Sequence, residues 1–357
     1  MEDKKALHYG FQLFTGLSLI FALSVALLFI GFISYEMTHQ PNNPALASQN
    51  RSKSYNIGSS YSPSSSLSYS HLWQAPNINS LADDVNAEQI RYGRTLIIHT
   101  AKYLGPKGSV AQISNGLNCQ NCHLEAGTAP FGNNYGGVAA TYPQVRPRGE
   151  KMVDIPQRIN ACFQRSLNGQ PLPMNSKEMK AMTAYIEWLG KDVPKGVKPE
   201  GAGLIPLAYL NRAADPNKGK DIYSAQCARC HGNQGEGKLF PDGISYEYPP
   251  LWGPNSYNVS AGLYRIEKFA RYVKANMPFG GTYSSPTLSD EEAWDIAAFV
   301  NAQPHPNKRF DGDWPNLLTK AIDAPFGPYA DHFSEEQHKY GPYPPIIAAI
   351  KKLNSKK

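Results

Sequence analysis

Two pentapeptides carry the strongest chemical signal in the chain: Cys119-Gln120-Asn121-Cys122-His123 and Cys227-Ala228-Arg229-Cys230-His231. A CxxCH run is the attachment site of a c-type haem. The paired thiols form thioethers to the porphyrin vinyls, and the adjacent imidazole becomes the proximal iron ligand. The competing uses of CxxC are a zinc half-site and a redox dithiol. Zinc would need two further ligands per site, and no second CxxC lies near either motif. The two motifs therefore predict two covalently bound haem c groups, on Cys119/Cys122 and on Cys227/Cys230, with His123 and His231 as axial ligands.

Each iron then needs a sixth ligand. Met277, in Asn276-Met277-Pro278-Phe279-Gly280, lies at an appropriate spacing from His231. A His/Met pair raises the reduction potential and suits electron transfer; the bland reading is a core methionine filling a gap. The first motif has no Met-Pro counterpart. It is followed instead by Arg158-Ile159-Asn160-Ala161-Cys162-Phe163-Gln164-Arg165-Ser166, which holds the fifth cysteine. Cys162 can be the missing ligand, or a buried and inert thiol, with Met174 as the rival ligand. An unpaired thiol in an oxidising compartment is a liability unless it is used or shielded. Its surroundings are cationic: Arg146, Arg148, Lys151, Arg158 and Arg165 fall in one short stretch. If the segment is helical, Arg158, Cys162 and Ser166 share a face at i, i+4 and i+8. Positive charge there stabilises a thiolate, and a thiolate among arginines points to sulfur chemistry rather than simple electron relay.

The elements that must position these groups repeat. Each module opens with a helix carrying a glycine, Gly93 in the first and Gly219 in the second, then presents its CxxCH. Each closes with an amphipathic helix. In the first, Asn175 is the expected cap with Glu178 at N3; Met179, Met182, Ile186 and Leu189 form the stripe and Gly190 stops it. In the second, Ser289 and Glu292 form a capping box ahead of Ala293, Ile296, Ala297 and Val300. The fold expected is mainly α, two fused class I cytochrome c domains at 80–200 and 217–304. A connector at 201–216 joins them, and a tail at 305–357 wraps the surface as loops.

At 357 residues the chain has room for two such domains, and a formal net charge of +6 suits small anions. It is too weak a signal for nucleic acid, and no basic-aromatic binding motif is present. Residues 10–35 hold no charged side chain. Roughly 25 residues span the ~30 Å hydrocarbon core, so this segment is expected to be a transmembrane anchor following a short cytoplasmic stretch, 1–9. Lys4 and Lys5 before it, and no Lys or Arg after it until Arg51, orient the remainder outward. The rival is a cleaved signal peptide ending near Ala45-Leu46-Ala47, but the apolar run is long for a signal and stops well short of that triplet. Either way the haem domains face the periplasm, on the outer side of the inner membrane. Residues 36–79, rich in Ser, Asn, Tyr and Pro, read as a flexible tether.

From about Val85 to Ile346 the chain resembles the dihaem c-type thiosulfate dehydrogenases, or tetrathionate synthases. The matching stretches include Tyr103-Leu104-Gly105-Pro106, Cys119 to Gly127, Arg158 to Gly169, Pro249 to Gly253, Asn276 to Gly280, Gly327 to Asp331 and His338 to Pro342. The resemblance implies an active-site haem ligated by His123 and Cys162 and an electron-transfer haem ligated by His231 and Met277. It implies substrate contacts from Arg148, Arg158 and Ser166, and Cys162 as the catalytic sulfur. The implied reaction joins two thiosulfate ions to tetrathionate and passes electrons to an external periplasmic cytochrome or similar redox protein. Some members carry a lysine just before the methionine ligand that can replace it; Asn276 stands there in this chain, so no such switch is expected. The alternatives are a physiological tetrathionate reductase, or a membrane-tethered dihaem electron carrier in which Cys162 is structural and Met174 ligates.

Overall fold

Two pairs of crossed helices frame the protein, seen in a computed structural model that describes residues 71–355. In the first module α1 (Val85–Ile98) crosses the closing helix Lys177–Leu189, called α4 below. A Cβ at Gly93 would sit inside the contact radius of the Ala181 carbonyl oxygen, so only glycine lets the two backbones approach. The second module repeats the device. There Gly219, on the opening helix Pro216–Gln226, abuts the Asp295 carbonyl of the closing helix Asp290–Ala302.

Between the crossed pair of the first module come α2 (Thr100–Leu104), a long loop carrying Cys119–His123, and a hairpin of β1 (Gln144–Arg146) and β2 (Lys151–Val153). The hairpin is antiparallel, with Val145 opposite Met152. It leads into α3 (Ile155–Arg165). A reciprocal capping box between Asp154 and Gln157, with Pro156 in the first turn, starts α3 where the sequence breaks from strand. The closing helix α4 buries Met179, Met182, Ile186 and Leu189, as its periodicity predicts. Its cap differs from expectation. Ser176 rather than Asn175 caps it, because the Ser176 hydroxyl reaches the Met179 N–H at 3.1 Å. Glu178, free of any capping box, accepts from the Tyr92 hydroxyl at 3.0 Å and ties α4 to α1.

In the second module α5 (Pro216–Gln226) is followed by the second CxxCH, a short antiparallel pair β3 (Lys238–Leu239) and β4 (Tyr246–Tyr248), α6 (Ile266–Asn276) and α7 (Asp290–Ala302). The Ser289/Glu292 capping box is present, and Ala293, Ile296, Ala297 and Val300 are buried. The tail departs from the expectation of loops. It folds into α8 (Glu335–Tyr340) and α9 (Pro344–Asn354). Pro344 and Pro345 occupy the first turn of α9, where a missing N–H has no cost, and Ile346 with Tyr343 is fully buried in the core of the second module.

The apolar segment 10–35 and the Ser/Tyr-rich stretch 36–70 lie outside the described residues. Among the described residues no helix is long and apolar enough to cross a membrane.

Candidate active site

The first CxxCH is pinned by backbone accounting. The buried Asn118 side chain accepts from the Ala101 N–H at 2.9 Å, and the Cys119 N–H donates to the Thr100 hydroxyl at 2.9 Å, so the motif hangs from the first turn of α2. His123 Nδ1 meets the Asn133 carbonyl at 2.5 Å, and its ring stacks on Tyr135 with centroids 4.5 Å apart. A carbonyl oxygen can only accept a hydrogen bond, so Nδ1 carries the proton and donates it, and the neutral ring keeps a lone pair on Nε2. Burial pushes the imidazole down to about 4, and the charge on Arg158 adds to the effect. The ring is therefore neutral at physiological pH.

His123, Cys119 and Cys122 line a cavity of about 410 Å³ with Arg158, Cys162 and Ser166. The α3 helix delivers the last three to one face, as their spacing predicts. Arg158 Nη1 donates to Cys162 Sγ at 3.2 Å. The Cys162 sulfur is the main influence holding the Arg158 guanidinium protonated against its own burial, with Tyr142 and Tyr135 assisting. Ser166 caps the C-terminus of α3, its N–H on the Cys162 carbonyl at 2.8 Å. Three further cations line the cavity: Arg146 from β1, Lys198 from the segment after α4, and Lys268 from α6 of the second module. No aspartate or glutamate lines it among the described residues.

Arg148 is placed differently from expectation. It does not line the cavity. Its Nη1 donates to the Ser260 carbonyl at 2.6 Å and lies 3.3 Å from Asp313, and its guanidinium sits over the Trp314 ring. Asp313 also takes a two-pronged bond from Arg165, at 2.7 Å to each oxygen. The tail thus supplies the carboxylate that draws both arginines out of the cavity wall. Burial lowers Arg148 to about 10. Met174 is 44% exposed, takes a hydrogen bond from the Asn160 amide at 3.4 Å, and stands apart from the cavity.

A second cavity, about 350 Å³, is lined by Cys227, Cys230, His231 and Met277 within a mostly apolar wall that includes Leu288 and Ile296. His231 Nδ1 meets the Pro249 carbonyl at 2.8 Å, and burial again holds the imidazole down. Helix α6 ends at Asn276, so Met277 is its extended C-cap and reaches into the cavity. The Asn276 amide bonds the Phe131 and Tyr272 carbonyls, at 3.2 and 2.8 Å. The two cavities share Asn118 and Cys122 in their walls, and the Tyr272 hydroxyl of α6 donates to the Asn121 carbonyl inside the first CxxCH at 3.0 Å.

Each cavity gathers two thiols, an imidazole whose Nδ1 proton is fixed by a backbone carbonyl, and a further sulfur. Imidazole ligands of metals are held by just such an outer hydrogen bond, and both volumes fall in the ~300–1,000 Å³ range of cofactor pockets. The donor sets fit haem c. Sequence reasoning missed Lys198 and Lys268 as site residues, since neither lies in a motif and each is distant in sequence from Cys162; Arg146 was visible only as one of several basic neighbours.

Comparison with known proteins gives the same partition. Residues 109–194 match the family described as SoxA/TsdA, cytochrome c domain, and residues 214–300 match the one described as cytochrome C oxidase, cbb3-type, subunit III. The thiosulfate dehydrogenase of Psychrobacter arcticus is 38% identical over 244 residues, 68% of this chain and 71% of that one. That of Allochromatium vinosum is 39% identical over 234 residues, 63% of this chain and 82% of its own. Among solved structures, thiosulfate dehydrogenase (TsdBA) from Marichromatium purpuratum in its "as isolated" form aligns with a TM-score of 0.62 at 32% identity. The match covers 68% of this chain and 51% of that one, so this chain spans about half the length of the solved protein.

Proposed function

The chain belongs to the thiosulfate dehydrogenase family, and from that premise we propose that it couples two thiosulfate anions to tetrathionate and passes two electrons to an external redox protein. The observation that carries this reading is the Cys162 sulfur, 3.2 Å from the half-buried Arg158 guanidinium, in a cavity whose wall carries four cations and, among the described residues, no carboxylate.

The chemistry sets the requirement. Two dianions must bring their sulfane sulfurs together, and each pair of unit charges 4 Å apart repels by about 4 kcal/mol at an effective dielectric of 20. Arg158 offsets part of that repulsion, and its planar fork orients the oxyanion. Ser166, one turn beyond Cys162, offers a hydroxyl donor to the same anion. Arg148 already has partners and acts from behind this shell as added positive charge. Cys162 as thiolate forms a disulfide bond to the sulfane sulfur of the first thiosulfate, giving Cys–S–S–SO₃⁻ and releasing two electrons. The sulfane sulfur of the second thiosulfate then attacks the same atom, tetrathionate leaves, and the Cys162 thiolate is restored. Two haem c groups, held by Cys119, Cys122, His123 and Cys162 in one cavity and by Cys227, Cys230, His231 and Met277 in the other, would supply one-electron acceptance for each of the two electrons.

The carrier alternative loses its candidate ligand, because Met174 stands outside the cavity. The test is steady-state turnover of purified holoprotein with an artificial one-electron acceptor, and with a donor for the reverse reaction. Wild type is expected to form one tetrathionate per two thiosulfates consumed. Cys162→Ala is expected to do neither reaction and to lose the rhombic low-spin electron paramagnetic resonance signal of a thiolate-ligated haem. A Cys162→Ala protein with wild-type turnover and spectrum would overturn the mechanism in favour of the carrier.

A further inference from the structure

Helix α6 serves both cavities. Tyr272, Val273, Asn276 and Met277 line the second, while Lys268, nearer the start of the helix, lines the first. The second module thus contributes a cation to the reaction chamber of the first. The Lys268 N–H donates to the Arg265 carbonyl at 3.1 Å, while its ammonium has no hydrogen bond or ion pair among the described residues. The carboxylates near it are already engaged. Glu267 is paired with Arg265 at 3.1 Å and with Arg271 at 2.8 Å, and Asp323 is held by Arg265 and by the Glu267 N–H.

Two electrostatic groups therefore share one cavity. The first is Arg158 with Cys162, Tyr142 and Tyr135. The second is Lys268 with Arg146, the cation whose charge opposes its own across the module boundary. Lys198 joins the wall from the segment after α4. Three cations from three separate stretches, none with an acidic partner among the described residues, outnumber the two propionates that a haem c in this cavity would bring, so positive charge is left over for a further anion. The proposed reaction needs two dianions in one chamber, and the first is committed to Arg158, Ser166 and Cys162.

Building on the proposed coupling reaction, we propose that Lys268, with Arg146 and Lys198, forms a second oxyanion subsite that receives the attacking thiosulfate. This divides the labour. The α3 face holds the thiosulfate that becomes the Cys162 adduct, and the subsite closed by α6 holds the one that discharges it. Forming the adduct joins the sulfane sulfur of the first thiosulfate to Cys162 and passes two electrons, one at a time, to two equivalents of a one-electron oxidant. Its discharge is redox-neutral, the thiolate leaving as the new sulfur–sulfur bond forms.

The charge state of Lys268 gives an independent readout. Burial first, then Arg265, pushes its ammonium down to about 8; Glu267 and Asp323 oppose the shift, and Arg146 adds to it. The cation is therefore present below pH 8 and lost above it, and kcat/KM reports that free-enzyme ionisation.

The experiment uses holoprotein of wild type, Lys268→Met and Lys268→Arg. Intact-mass measurement after one equivalent of thiosulfate with ferricyanide reads the adduct, and steady-state kinetics across pH 6–10 read its discharge. Lys268→Met is expected to form the adduct normally, with an unchanged haem spectrum, and to lose about tenfold in kcat/KM, the scale of one charge-assisted hydrogen bond. Lys268→Arg is expected to recover most of that loss and to flatten the decline that wild type shows as pH rises through 8. Kinetics of Lys268→Met within twofold of wild type would overturn the subsite. So would loss of the adduct along with turnover, since that would place Lys268 with the first anion. Failure of the wild type itself to make tetrathionate would refute the coupling reaction instead.

Discussion

Replacing Arg158 by glutamine removes the one guanidinium among the described residues that hydrogen-bonds Cys162, while keeping a shorter polar side chain. Its Nη1 lies 3.2 Å from the sulfur, and the group is half-buried. A hydrogen bond to a charged group contributes about 1.5–3 kcal/mol. At a factor of ten per 1.36 kcal/mol, losing one such bond to the dianion lowers kcat/KM by about 10- to 150-fold. The site is shielded, so the loss should persist at 0.15 M salt, where the Debye length of ~8 Å screens exposed charges but buried ones far less. Arg158→Lys keeps the charge and loses the fork, and should fall between the two. The assay is initial rate against thiosulfate with ferricyanide as acceptor, beside a haem content and visible spectrum equal to wild type. A kcat/KM within twofold of wild type in Arg158→Gln would refute the claim that this guanidinium orients substrate.

Asp313→Ala leaves Arg165 and Arg148 without their shared carboxylate; both partners of the Arg165 pair are less than a fifth exposed. Breaking a buried pair from one side costs about 3–5 kcal/mol, and residual exposure puts this one near 3, to be read as a lower denaturant midpoint by far-ultraviolet circular dichroism. Gly219→Ala forces a methyl into the Asp295 carbonyl and should lower thermal stability by about 1–3 kcal/mol or more, with an unchanged melting curve as the contrary result. Met277→Ala should lower the midpoint potential of the second haem, since a thioether ligand raises it, while the Cys162 adduct still forms; potentiometry showing no change would make Met277 a core residue. Full-length protein should sediment with membranes and retain its N-terminus, and recovery of a soluble form starting near Ser48 would favour the signal-peptide reading.

What the sequence disclosed was local. CxxCH chemistry is fixed by adjacent residues, and the Arg158, Cys162 and Ser166 face follows from helical geometry once Asp154 and Gln157 cap α3. Gly93 and Gly219 could be noticed in sequence, but their reason, a carbonyl pressed against the missing Cβ, belongs to the crossing helix. The cap at Ser176 shows the same limit at small scale. Asn175 and Ser176 have comparable capping propensity, and the choice was made by which side chain reached the Met179 N–H. The tail was expected as loops, yet α9 opens on Pro344-Pro345, since proline is welcome in a first turn.

Arg148 and Lys268 show why the charges of this site could not be assigned from spacing. Five basic residues crowd between 146 and 165, yet the fates of Arg148 and Arg165 depend on a carboxylate far along the chain. Asp313 binds Arg165 and Arg148 and so removes two cations from the cavity. Asp323 and Glu267 bind Arg265 and leave its neighbour Lys268 without a partner. Neutralising every arginine would have made a more stable chamber with no hold on a dianion; neutralising none would have made one that resists folding through its own repulsion. The tail satisfies both demands by placing its acids behind the wall and none in it. Stability and anion affinity are thereby separated onto different residues, which is why removing Asp313 should cost stability while removing Arg158 or Lys268 should cost turnover.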